Sequence, residues 1–215
     1  MRKETDPDVV AAGGAGGLIV SVIWYRDPVG KRFELVNGEV AGSHSSRSKM
    51  AVGETVAFSS FEDFPTWRRA LPTECMLVSG TFDAVGTVPV VHKGTEAPGE
   101  VSASKKYLAH RERPGVMIID VDYKDENEVP GLHLGGEQPH KTLEAALDAL
   151  SNVLPEADDC ARMIGWSTSS NLFDLAGNQV KGTGGIRIYV PITDASKIPG
   201  LLGIMHRRSW LHGEG

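Results

Sequence analysis

The chain has 215 residues, a formal net charge of −6 and a pI near 5.6, with 40% hydrophobic and 7% aromatic residues. This is the composition of a globular chain able to bury a core, and its bulk charge does not announce nucleic-acid binding, although a local basic groove can sit on an acidic protein. Cys75 and Cys160 lie far apart without CxxC or Cys/His spacing; they exclude a disulfide framework and a zinc cluster and read as small buried residues in a reducing compartment.

Residues 9–25 carry no charge, so a targeting or membrane segment has to be weighed. Gly13, Gly14, Gly16 and Gly17 dilute the run, Glu4, Asp6 and Asp8 precede it, and only 18–25 is strongly apolar. The reading is a glycine-rich loop entering a strand of a cytoplasmic protein with no membrane partner. The loop lacks the lysine and Ser/Thr of a phosphate loop and has no nucleotide role.

A strand at 18–25 is followed by one at 32–36, and Asn37-Gly38 then predicts a hairpin turn because both residues tolerate positive φ. The serine-rich 42–49 reads as a solvated loop. A short strand at 55–58 precedes a helix over 60–71, with Ser59 or Ser60 as its cap, Glu62 and Asp63 in its first turn, and Arg68, Arg69 and Pro72 at its end. Strands follow at 75–81 and 87–92. The polar 96–104 stretch is the best internal boundary, which gives an N-terminal mixed α/β unit over 1–104 and a second unit over 105–215.

The second unit reads as strand 116–123, helix 142–150 with Leu143, Ala146, Leu147 and Leu150 on one face, strand 162–167 and strand 186–192. It closes with a helix over 194–211, capped by Thr193 or Asp194, with Ile198, Leu201, Leu202 and Met205 inward. This β-α-β-β-α order is a split βαβ, or RRM-like, unit lacking its last strand. The fold class is therefore α+β.

The strand 116–123 carries the chemistry. Asp120 and Asp122 share one face because strand side chains repeat every second position. At a separation of about 6.6 Å and an effective dielectric of about 20, two ionised carboxylates repel by about 2.5 kcal/mol. A divalent cation would offset this, since Mg²⁺ and Mn²⁺ prefer hard oxygen ligands; a strand end opening into solvent would instead screen it.

The segments Ile164-Gly-Trp-Ser-Thr-Ser-Ser170, Gly182-Thr-Gly-Gly-Ile-Arg-Ile-Tyr-Val-Pro191 and His206-Arg-Arg-Ser-Trp-Leu211 follow that strand. Together they resemble the catalytic domain of archaeo-eukaryotic primases, specifically the primase/polymerase proteins of plasmids and other mobile elements. The resemblance covers roughly 114–215 and is diffuse before that. It implies a DNA primase/polymerase-type nucleotidyltransferase using a two-metal mechanism in mobile-element replication.

The resemblance also assigns residues and partners. Asp120 and Asp122 would be catalytic and would hold Mg²⁺ or Mn²⁺. Ser167, Ser169, Ser170, Thr183, Gly184, Gly185 and Arg187 would bind the incoming nucleotide. The implied partners are nucleoside triphosphates, a single-stranded DNA template and a replicative helicase domain. Two departures stand out: Arg187 occupies the family's nucleotide-contacting histidine position, and the sequence ends before the strand that carries the family's third metal carboxylate. A second reading therefore stays open, a non-catalytic or truncated primase-like protein that binds nucleotide or nucleic acid.

Smaller candidates remain. His133 and His140 flank Gly135-Gly136 without metal spacing, and 124–128 reads as an acidic solvated turn. Arg207, Arg208 and Trp210 could meet a template strand, or could simply complement the helix C-terminus.

Overall fold

The structure, a computed structural model, describes residues 17–26, 30–37, 39–46, 51–72, 74–83, 86–122, 143–166, 172–173, 176–181 and 185–212. In chain order the first elements are β1 (Leu18–Tyr25), β2 (Gly30–Val36), β3 (Glu39–Ser46), β4 (Ala51–Phe58), α1 (Asp63–Ala70), β5 (Cys75–Val78), β6 (Thr81–Phe82), β7 (Thr87–Val91), β8 (Val101–Ser102) and β9 (Leu108–Ala109). Then come β10 (Gly115–Asp122), α2 (Leu143–Val153), β11 (Met163–Trp166), β12 (Leu172–Phe173), β13 (Gln179–Lys181), β14 (Gly185–Ile192) and α3 (Ile198–His212). The protein is α+β. It divides into two compact units interleaved in sequence, one of 1–29, 47–117 and 191–199, the other of 30–46, 118–190 and 200–215.

The first unit is built on β1, whose run of β-branched and aromatic residues suits a strand flanked on both sides. β1 pairs antiparallel with β4 from Leu18↔Phe58 to Tyr25↔Ala51, antiparallel with β5 from Ser21↔Val78 to Trp24↔Cys75, and parallel with β10 at Ile19↔Gly115. Val22 and Ile23 are consequently shut off from solvent. β4 continues antiparallel to β7, which pairs parallel with β8. Ile23, Phe82, Val88 and Val90 form one core cluster. Gly53 in β4 is required there, because a Cβ would meet the Phe82 ring at 2.6 Å.

Helix α1 docks through Phe64, whose ring meets Phe58 edge-on at 5.9 Å, while Trp67 meets Phe58 at 4.9 Å. The cap differs from expectation. Glu62 takes the N-cap position without a side-chain bond. Ser60 Oγ accepts from the Glu62 amide at 3.2 Å, and Ser59 Oγ donates to Asp63 Oδ2 at 3.0 Å, so the serines brace the preceding turn. Leu71 is already extended, as the residue before a proline must be.

In the second unit β2 and β3 form the expected hairpin, with Asn37 at φ 55°. Residues 42–46 are strand rather than loop. The turn brings them into register opposite β2, and ladder hydrogen bonding outweighs the weak strand preference of Gly and Ser. β14 has β11 on one side and β10 on the other. α2 buries Ala146, Leu150 and Val153. Arg208 of α3 donates from Nη1 to the Val153 carbonyl at 3.0 Å and lies 3.4 Å from Glu156 Oε2. Its head thus caps the end of α2, a structural role different from the expected one of complementing the C-terminus of its own helix.

Three expected burials are corrected. Leu202 is exposed, on the flank of the stripe that Ile198 and Met205 define. Cys160 is exposed because it falls in the turn after Pro155–Ala157. Cys75 is partly buried, and that burial pushes its thiol up to about 12, which keeps it protonated and unreactive at neutral pH. Asp194 is the expected cap, accepting from the Ser196 amide at 3.0 Å, but the first turn it opens, Ala195–Lys197, is 3₁₀ and α3 proper starts at Ile198.

Candidate functional site

Alternation along β10 sends Met117 and Ile119 to one face, where both are buried, and leaves Asp120 on the other, with its side chain 47% exposed. Along β14 the same rule buries Ile186, Ile188 and Val190 on one face and turns Arg187 and Tyr189 to the opposite one. Arg187 and Asp120 meet there. Nε donates to Oδ1 at 2.9 Å and Nη2 donates to Oδ2 at 2.7 Å, a two-pronged fork on both carboxylate oxygens.

The hydrogen bonding of Arg187 to Asp120 is the largest influence on Arg187 and raises its pKa; burial opposes it, and the charge of Asp120 and the Tyr189 hydroxyl add to it. The guanidinium is therefore a permanent cation. The charge problem read from Asp120 and Asp122 thus has a protein-borne answer at Asp120, a cation on the neighbouring strand.

On the other side of Arg187, β11 runs antiparallel with Gly165 directly opposite and Met163 opposite Tyr189. Gly165, Arg187 and Asp120 therefore follow one another across three strands. Gly185, the first residue of β14, is buried. The strand position of Asp122 is described but its side chain is not. Ser167, Ser169, Ser170, Thr183, Gly184, His133, His140 and residues 124–128 lie outside the described residues, as does the side chain of Trp210.

Among the described residues no group of three or more His, Cys, Asp or Glu is placed to hold a metal ion. Mg²⁺ would sit about 2.1 Å from a carboxylate oxygen, yet both Asp120 oxygens already accept from Arg187. The fork takes one lone pair on each Asp120 oxygen and leaves the other facing away from Arg187, so a metal at Asp120 would share the carboxylate with a cation that already neutralises it. What the arrangement can do directly is present an arginine, held by a carboxylate and a tyrosine, to an anion.

Sequence reading singled out Asp120 and Arg187 but missed that they pair. The signal was available: Arg187 is the charge in an otherwise apolar strand, Asp120 is the first charge after an apolar run, and opposite charges facing the same side of neighbouring strands attract. Tyr189 and Gly165 were missed as members of the same neighbourhood.

The site defines a class, an α+β sheet protein with a solvent-facing arginine–aspartate fork. Beyond that class, no protein-family model, curated protein or solved structure matches the chain.

Proposed function

We propose that this chain is a primase/polymerase-type protein that binds nucleotide or nucleic acid through Arg187 without carrying out two-metal nucleotidyl transfer. The single observation behind this reading is the bidentate Arg187–Asp120 pair. It gives the carboxylate a cation that belongs to the protein, and it stands at the position where the resembled family uses a histidine to contact the nucleotide. The finer fold under this reading is the RRM-like split βαβ unit, formed by β10, α2, β11, β14 and α3. Its ligand would be a nucleoside triphosphate or single-stranded DNA, with Ser167, Ser169, Ser170, Thr183, Gly184 and Gly185 contributing beside Arg187. A cytoplasmic setting beside a replicative helicase domain belongs to the same proposal. Among the described residues no helix is long and apolar enough to cross a membrane.

A second reading, a DNA primase/polymerase of a mobile element using Mg²⁺ or Mn²⁺ on Asp120 and Asp122, is favoured by the 47% exposure of the Asp120 side chain. A ligand phosphate that drew Arg187 away would free that carboxylate.

The test is nucleotide and single-stranded DNA binding by calorimetry, run beside Mn²⁺-dependent primer synthesis and extension. The first reading expects binding by the wild type, a loss of about tenfold or more in Arg187→Gln, as removing one charge-assisted contact implies, and no extension product. Extension by the wild type that disappears in Asp120→Asn and Asp122→Asn would overturn it in favour of the second.

A further inference from the structure

Glycine inside a strand is destabilising relative to alanine and marks a bulge, a tight contact, or a place where a ligand comes close. Two strand glycines of the first unit have evident packing reasons. A Cβ on Gly53 would meet the Phe82 ring at 2.6 Å, and one on Gly115 would meet the Ala195 Cβ at 2.9 Å.

Gly165 in β11 has neither reason. Its φ lies outside the left-handed region, and a Cβ built on it finds no atom of the described residues within 4 Å. The β11–β14 ladder is regular from Met163↔Tyr189 to Trp166↔Ile186, so no bulge is involved. Directly opposed residues hold their Cβ atoms about 5 Å apart, so a side chain at 165 would stand against the stem of Arg187. Among the described residues the glycine leaves a slot on the sheet face beside Arg187, on the side away from Asp120.

We infer that Gly165 is a ligand-seating position: its missing side chain lets the phosphate of a nucleotide lie on the β11 backbone and reach Arg187 from the flank that Asp120 does not occupy. The inference rests on the nucleotide-binding reading and adds the seat and the direction of approach. The ligand chemistry follows from charge. Arg187 is the cation bordering the slot, its Nε and Nη2 edge is taken by Asp120, and a backbone without a side chain allows close approach of phosphate oxygens.

The test is Gly165→Val, with Gly165→Ala as the milder variant, measured for thermal stability and for calorimetric affinity toward dATP. Because no described residue fills the space and valine favours strands, the melting temperature is expected to hold or rise. Affinity for dATP is expected to fall about tenfold or more in Gly165→Val and by less in Gly165→Ala. A wild type that does not bind dATP or single-stranded DNA overturns the nucleotide-binding reading and this inference with it. A wild type that binds dATP, with both variants binding as tightly, overturns the seat alone. A marked fall in melting temperature in both variants overturns the inference too, because it would assign the glycine a packing role.

Discussion

Two cross-strand polar contacts in this protein are built on opposite terms. In the first unit Ser21 is fully buried, and its hydroxyl meets Thr55 Oγ1 at 3.0 Å while accepting from the Phe82 amide at 3.1 Å. In the second unit Arg187 and Asp120 are fully charged partners with side chains 31% and 47% exposed. The difference follows from desolvation. A neutral hydroxyl with all its bonds made can sit inside a sheet at little net cost, whereas an ion pair taken fully out of water loses more hydration than its attraction returns. The charged pair therefore stays within reach of solvent, and anything in reach of solvent can be exchanged for a ligand. Polar groups hidden in the first unit hold the fold; those left at the surface of the second remain available for chemistry.

That contrast can be broken most severely at Gly53. Gly53→Val forces side-chain atoms into the space of Phe82 and is expected to destabilise the protein by about 3 kcal/mol, lowering the melting temperature by roughly 6 to 12 °C. The same substitution at Gly165 carries no such penalty. A melting temperature within about 2 °C of wild type for Gly53→Val would show that Phe82 can move aside, and the packing distinction between the two glycines would collapse.

Ser21→Ala sharpens the comparison at smaller scale. It strands the buried Phe82 amide and removes the partner of the half-buried Thr55 hydroxyl, for a loss of about 1 to 3 kcal/mol read from urea denaturation. A loss near zero would mean that the network is dispensable.

The smallest effect belongs to His110, whose pKa is lowered by burial below its usual 6.5. The unfolded chain takes up this proton first as the medium is acidified. The contribution is thus complete above pH about 6.5 and is lost as pH falls through the lower folded value. Melting temperature should decline over that window, and His110→Gln should flatten the decline. An unchanged pH profile in the variant would remove His110 as the cause.

Legibility differed by element. The strand at 18–25 was readable to the residue because eight consecutive positions favour a strand and a glycine-rich segment marks its start. The hairpin turn was readable because Asn37-Gly38 has few other uses. The serine strand at 39–46 was not, since its pairing comes from the partner across the turn and not from its own propensities. In the site, Asp120 stood out as a charge ending an apolar strand, and Arg187 through the family resemblance. Their contact was hidden because they are 67 residues apart and meet only when β14 lies beside β10.

By itself the sequence determined the α+β class, the placement of most strands and helices, and the choice of an aspartate and an arginine on alternating apolar strands. These are local matters of periodicity, turn chemistry and composition. Only the tertiary structure decided that Arg187 grips Asp120 and that Gly165 stands directly opposite Arg187 on the other flank. Strand order and register are settled by which apolar faces bury together, and no short stretch of sequence carries that information.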